Sequence, residues 1–232
     1  MTVVAAGTHE GTLHHVTNER GLDTDEPIIS FSEQTGRINS DLTIGADVTA
    51  AAELRANVGL CSPGVKLHGD GFIVDHDLAQ KLGLGARPGL EQHIRPYRNG
   101  RDLTARSRDV LVIDLFGLSA EEVRRSYPEV YQHLLETVKA SRQRVFDKSR
   151  TRDSKEYLDN WWIFGKPRQE LRPALAGLDR YIATVETAKH RTFQFLDGSI
   201  MADNMLVVIG SRDAFHLGGL SSRVHVLWTL VD

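Results

Sequence analysis

The chain has almost no cysteine. It carries a single cysteine, Cys61, among 232 residues, so no internal disulfide can form. That usage fits a reducing, cytoplasmic setting. No run of 18 apolar residues exists, which excludes a helical membrane span. The opening residues lack a basic start and a long apolar core, so no secretory leader is expected. Enzymatic signatures are missing too: there is no GxxxxGK[ST] phosphate loop, no HExxH zinc helix and no GxSxG nucleophile turn. The stretch Gly83-Leu84-Gly85-Ala86-Arg87-Pro88-Gly89 fails the dinucleotide-loop spacing and follows a helical pattern rather than a strand. Cys61, His68, His76 and His93 show no zinc-ligand spacing. No catalytic residue and no metal ligand is assigned.

What is present is arginine, unevenly spread. The net charge of -3 hides three blocks. Residues 1–90 hold 12 acids and 6 bases, residues 91–191 hold 15 acids and 20 bases, and residues 192–232 hold 4 acids and 2 bases. Fifteen of the 20 bases in the middle block are arginine. The rigid guanidinium fork suits phosphates and guanine edges better than a lysine point charge. Many such groups serve as solvated helix faces, as expected of Glu121, Glu122, Arg124 and Arg125.

The patterns predict an α+β (mixed α/β) domain: a central, mostly antiparallel or mixed sheet with flanking helices and a C-terminal helix. Residues 1–26 are polar without sustained period and are expected to be poorly ordered. Residues 27–232 form the domain proper, an acidic lead-in over 27–90 and a basic core over 91–232. Strands are expected at 27–31, 72–74, 110–115, 181–185, 192–196 and 205–209. Helices are expected at 48–56 behind Asp47, from Asp75 to Leu82, and at 120–127 behind the capping box of Ser119 and Glu122. Further helices are expected from Pro128 to Val145, near 168–176, and at the C-terminus. Asn99-Gly100 reads as a hairpin or tight turn. Residues 147–152 read as a charged, mobile connector. Trp161 and Trp162 are expected in the core.

Three groups of residues look fit for contact chemistry. Arg95, Arg98 and Arg101 recur at three-residue spacing around the Asn-Gly turn, with Arg106 close behind, and suit a phosphate backbone. Arg180 joins them at the start of a strand, where an internal ion pair is the competing role. The segment after that strand carries Thr187, Lys189, His190 and Arg191, suited to base edges. The terminal helix starts with two glycines and two serines and offers Ser221, Arg223 and His225. Its Leu220, Val224 and Leu227 share one apolar stripe expected to anchor it.

In order and spacing these motifs resemble the target-recognition domain of MmeI-like (Type IIL) and Eco57I-type restriction–modification adenine DNA methyltransferases. The resemblance runs through Gly45-Ala46-Asp47-Val48, Leu54-Arg55-Ala56-Asn57-Val58-Gly59-Leu60 and Gly69-Asp70-Gly71-Phe72-Ile73. It continues through residues 94–103, Val112-Ile113-Asp114, Trp161-Trp162, Leu171-Arg172-Pro173-Ala174-Leu175, Arg180-Tyr181-Ile182-Ala183 and Lys189-His190-Arg191. It closes on Leu220-Ser221-Ser222-Arg223-Val224-His225 with Trp228. The resemblance implies a double-stranded DNA specificity module that works with a methyltransferase domain or subunit. The catalytic domain of that family flips an adenine and methylates N6 from S-adenosylmethionine. This chain has neither the Asn-Pro-Pro-Tyr/Phe loop for the flipped base nor the Gly-rich S-adenosylmethionine motif. The expectation is therefore recognition without catalysis, no cofactor held by this chain, and S-adenosylmethionine in the parent enzyme. The resemblance also implies that variable side chains near the C-terminal part carry specificity, which singles out Ser221 and Arg223. The competing expectation is a protein-interaction module that docks on a methyltransferase subunit and reads no bases.

Overall fold

The computed structural model describes residues 9–39, 42–45, 52, 54–188 and 191–229. The chain divides into two compact units, residues 1–56 with 227–232 and residues 57–226. In the first unit, β1 (Gly11–Arg20) pairs antiparallel with β2 (Ile28–Gly36), with an irregularity between Val16 and Asn18. The expected disorder over 1–26 thus gives way to a strand at its second half. Val16, Ile28 and Phe31 are exposed. With neither face of the hairpin buried, nothing enforces an apolar alternation, so the sequence period is weak where the strand is real. The helix expected at 48–56 falls largely outside the described residues, and Arg55–Asn57 forms a 3-10 turn.

Beyond residue 56 the chain forms β3 (Cys61–Pro63), β4 (Ile73–Val74), α1 (His76–Lys81), β5 (Ile94–Arg98) and α2 (Gly100–Thr104). Next come β6 (Val110–Ile113), α3 (Ala120–Ser126), α4 (Pro128–Leu134), α5 (Ala140–Ser149), α6 (Arg152–Asp159) and α7 (Arg172–Leu175). The last elements are β7 (Arg180–Val185), β8 (Phe193–Asp197), β9 (Met201–Ala202), β10 (Leu206–Ile209), α8 (Ala214–Leu220) and α9 (Arg223–Thr229). The α+β class holds. These strands form two four-stranded sheets, however, rather than one central sheet. The first, in order β3-β10-β7-β8, is antiparallel; the second, β4-β6-β5-β9, is mixed, with β9 parallel to β5.

Each sheet has its own core. Phe72, Leu90, Val112, Ile113, Val123, Val130, Leu134 and Val138 pack the second sheet against α1, α3 and the long helical run from Pro128. Trp161 is buried there as expected, and half-buried Trp162 donates its indole N–H to Leu118 O. Tyr181, Ala183, Leu196, Leu206 and Val208 form the smaller core of the first sheet. Each buried Val, Leu, Ile or Phe side chain among these contributes about 1.5–3 kcal/mol. Both charge-defined subregions share the larger core, since Phe72 and Leu90 sit with Ile94 and Leu111.

The two sheets are joined where the chain passes from β9 into β10. Gly64 N donates to Leu206 O and Val65 N to Ala202 O. A Cβ at Gly64 would collide with the carbonyl oxygens of Ala202 and Asp203, so glycine is required for this backbone approach. Arg172 adds a bidentate pair across the same region, with both terminal nitrogens 2.9 Å from the Asp114 carboxylate oxygens and its plane over Phe116.

Local capping follows the sequence at most helix starts. Asp75 Oδ1 accepts from Leu78 N at 2.7 Å, and Ser119 with Glu122 makes the expected box. Pro128 opens α4, which runs through a π turn at Leu135–Lys139 into α5. Two expectations are corrected. Residues 147–152 are no loose connector: α5 continues to Ser149, Arg150 turns left-handed, and Thr151 caps α6. Charge density here marks solvated helix ends, with Thr151 Oγ1 accepting from Ser154 N. Asn99-Gly100 makes no hairpin. Asn99 caps α2, its side chain accepting from Arg101 N and Asp102 N, while Asp102 accepts in return from Asn99 N.

Candidate nucleic-acid interface

The first sheet positions the candidate residues, because three segments converge on the end where β7 stops and β8 begins. Val185 ends β7, Glu186 and Thr187 begin a turn, and β8 starts at Phe193. Thr184 pairs with Phe193 and Val185 with Leu206, which fixes that end of the sheet. Glu186 N donates to Met205 O at 3.0 Å and anchors the start of the turn.

α2 packs onto the same end. The Gly100 backbone lies against the Val185 side chain, and Gln194 Nε2 donates to Leu103 O at 3.4 Å. α9 reaches it as well, since the His225 ring stands edge-on to Phe193 with centroids 5.6 Å apart. Phe193 is therefore the hub of a patch built from α2, the β7–β8 turn and the start of α9.

The side chains in this patch divide by their partners. Arg101 and Arg106 are exposed, and neither guanidinium has a hydrogen-bond or ion-pair partner among the described residues. Arg191 and Arg223 are exposed in the same way. Thr187 is exposed in the turn. Lys189 and His190 lie outside the described residues. Arg108, by contrast, is consumed locally. It donates to both carboxylate oxygens of Asp102, with Nη2 at 2.8 Å from Oδ2. Burial alone raises the Asp102 pKa, but the Arg108 and Asn99 hydrogen bonds outweigh it and bring the carboxyl down to about 2. Asp102 thus closes the cap of α2 and holds the following loop through Arg108.

The arginine triplet of β5 and α2 is split by the fold. Arg95 points to the opposite end of the sheet, donating from Nε to Ser199 O at 2.9 Å and from Nη2 to Gly198 O at 2.8 Å. Burial lowers its pKa, with Asp114 opposing that shift. Arg98 is half-buried, donates to Tyr97 O, and stands 3.9 Å from Asp109. Arg180 also lies at the opposite end, paired in register with Asp197, about 16 Å along the strand from Val185. It is exposed, with its guanidinium 3.9 Å from the Phe195 ring centroid and Nε donating to Arg212 O.

The terminal segment differs from a single helix. Ser221 closes α8, its N–H bonding Leu217 O, and Ser222 caps α9 by accepting from His225 N at 3.2 Å. Leu220 consequently belongs to the preceding helix. Val224 is 78% exposed and Leu227 55%, so the expected anchoring stripe is not buried. The anchor is instead His225, half-buried against Phe193, with a buried Nδ1 that has no partner among the described residues.

The sequence patterns do not mark Phe193, Gln194 or Asp102 as part of this patch. Asp102 had a legible signal, the Asn-x-x-Asp capping spacing; Phe193 had none, because a hub is defined by what folds onto it. Among the described residues no group of three or more His, Cys, Asp or Glu is placed to hold a metal, and no helix is long and apolar enough to cross a membrane.

No protein-family model matches the chain, and no curated protein matches it. Its fold is similar to part of a solved structure, the Type IIL restriction-modification enzyme MmeI in complex with DNA. The TM-score is 0.63 at 18% sequence identity. The match covers 100% of this chain and 31% of that one, so the chain spans under a third of the length of its structural neighbour.

Proposed function

We propose that the chain is a sequence-specific double-stranded DNA recognition module of a restriction–modification N6-adenine DNA methyltransferase. The observation that carries this reading is the convergence of α2, the β7–β8 turn and the start of α9 on Phe193, with Arg101, Arg106, Arg191 and Arg223 exposed and, among the described residues, unpaired. Likeness in fold to part of an enzyme solved with DNA supports it. Arg101 and Arg106 serve as phosphate contacts that set register. Arg98, half-buried beside them, contributes less. Arg95 and Arg180, at the opposite end, hold the β8–β9 turn and the chain before α8 rather than the duplex. Thr187, Arg191, Ser221, Arg223 and His225, with Lys189 and His190 from the same turn, form the base-reading set. His225 positions α9 through Phe193, and Arg223 reads a base edge.

The methyl donor, S-adenosylmethionine, belongs to a methyltransferase domain or subunit that this module directs; no group of this chain is assigned to it. Selection of duplexes from a randomised pool tests the reading. Arg223→Ala is expected to change the selected sequence, since one bidentate arginine–guanine pair is worth about 1–3 kcal/mol of discrimination. An unchanged consensus refutes the base-reading role. A second reading, a protein-docking module, is favoured by Phe215 and Val224, which are 80% and 78% exposed. Native mass spectrometry separates the two: a complex with the methyltransferase subunit and none with duplex supports docking alone.

A further inference from the structure

We propose that Lys66 and Lys166 form a second phosphate clamp on the duplex, beyond the β3 edge of the first sheet. The two residues are directly opposed in an antiparallel bridge, exchanging both backbone bonds: Lys66 N to Lys166 O at 3.1 Å and Lys166 N to Lys66 O at 3.0 Å. Such a pair holds its Cα atoms about 5.5 Å apart with both side chains on one face. Like charges in this arrangement repel, and a partner of opposite sign normally relieves them. Both lysines are exposed, and neither has an ion pair among the described residues. Asp153, Glu156 and Glu170 line the same cavity of about 480 Å³ as Lys166, yet none comes within ion-pair distance of it. His68 stacks on Tyr157 beside this pair; burial lowers its pKa first, with Lys66, Arg142 and Lys166 adding to the shift and Asp153 opposing it. Two exposed lysines held side by side by their backbones, without an ion pair among the described residues, suit an anion from outside.

The fold suggests which anion. Gly64 N bonds Leu206 O, and Leu206 pairs with Val185, so residues 64–66 lie beyond the sheet end that carries the β7–β8 turn. The order β3-β10-β7-β8 puts three strand spacings, about 14 Å, between the two edges. That equals about four base-pair steps of duplex axis. One duplex lying along this end meets the α2 and α9 arginines near β8 and the lysine pair near β3.

This inference rests on the DNA-recognition reading. The test is fluorescence anisotropy of the full chain with a labelled 30-base-pair duplex of random sequence across a range of KCl concentrations. The double variant Lys66→Gln/Lys166→Gln is expected to lower the slope of log affinity against log salt by about 1.8, or 0.9 per phosphate released. Lys66→Arg/Lys166→Arg is expected to keep the unaltered slope, which separates loss of charge from loss of fold. Binding with an unaltered slope in the Gln variant overturns the clamp alone. Loss of slope in both variants assigns the effect to the fold and also overturns it. Absence of any duplex binding by the unaltered chain overturns the DNA-recognition reading and the clamp together.

Discussion

Asp102 offers the sharpest test of how α2 is held, and so of how its arginines are presented. Its side chain is fully covered, caps Asn99 N, and takes a bidentate contact from Arg108. The carboxyl falls from its ordinary 3.8 to about 2. Taken whole, that difference is a ceiling of about 2.5 kcal/mol of stability at neutral pH. Arg108 is 38% exposed, so solvent screens the pair, and about 1.5 kcal/mol is the working figure. The sign follows from the depressed carboxyl. The contribution is present in full above pH 3.8 and disappears as pH falls through about 2. Asp102→Asn should therefore lower the melting temperature by about 3–6 °C at pH 7. The difference from the unaltered chain should shrink between pH 4 and pH 2. Scanning calorimetry over that range reads both quantities. Equal melting temperatures at pH 7, or a deficit that stays constant down to pH 2, would refute the clamp. Because α2 carries Arg101 and the loop that Arg108 ties to Asp102 carries Arg106, the same variant should weaken duplex binding without changing the preferred sequence.

Three further outcomes are expected. Arg101→Ala/Arg106→Ala should lower the salt slope of DNA binding by about 1.8 while leaving the selected sequence intact; a changed consensus would move these residues to base reading. Arg223→Ala should change the consensus with a salt slope reduced by no more than about 1, read in the same selection and anisotropy measurements. Arg172→Ala strands the buried Asp114 carboxylate and should cost about 3 kcal/mol in urea unfolding; a loss under 1 kcal/mol would show that the pair does not join the two sheets.

The secondary structure was legible wherever a local rule decides it. Ser119 with Glu122, Asp75 and Pro128 all act over one or two turns of chain and appear as read, and the apolar run expected as a strand at 110–115 forms one at 110–113. Local rules failed where two of them compete. Asn99-Gly100 suits a hairpin turn, but Asp102 at the third helical position converts Asn99 into a cap. Gly218 and Gly219 suggested a helix start, but they fall inside α8, and the break comes at Ser221 and Ser222. The Leu220, Val224 and Leu227 stripe then loses its shared helix, and with it the reason to be buried.

The candidate interface divides along the same line. Composition and order alone determined that the chain is an arginine-rich α+β module without catalytic signatures, because residue type and spacing are properties of the sequence. Which arginines remain free was a tertiary decision. Arg95 and Arg98 lie three positions apart, yet one is tied to the Gly198 and Ser199 carbonyls, about a hundred positions away, and the other stands near Asp109, across a strand whose side chains alternate. Phe193, His225, Gly100 and Val185 meet only because β7 and β8 are paired and α2 and α9 close on their end. Hydrogen-bond capacity is local to a residue, but its satisfaction depends on whatever the fold brings within 3 Å, and that separates the structural arginines from those left for a ligand.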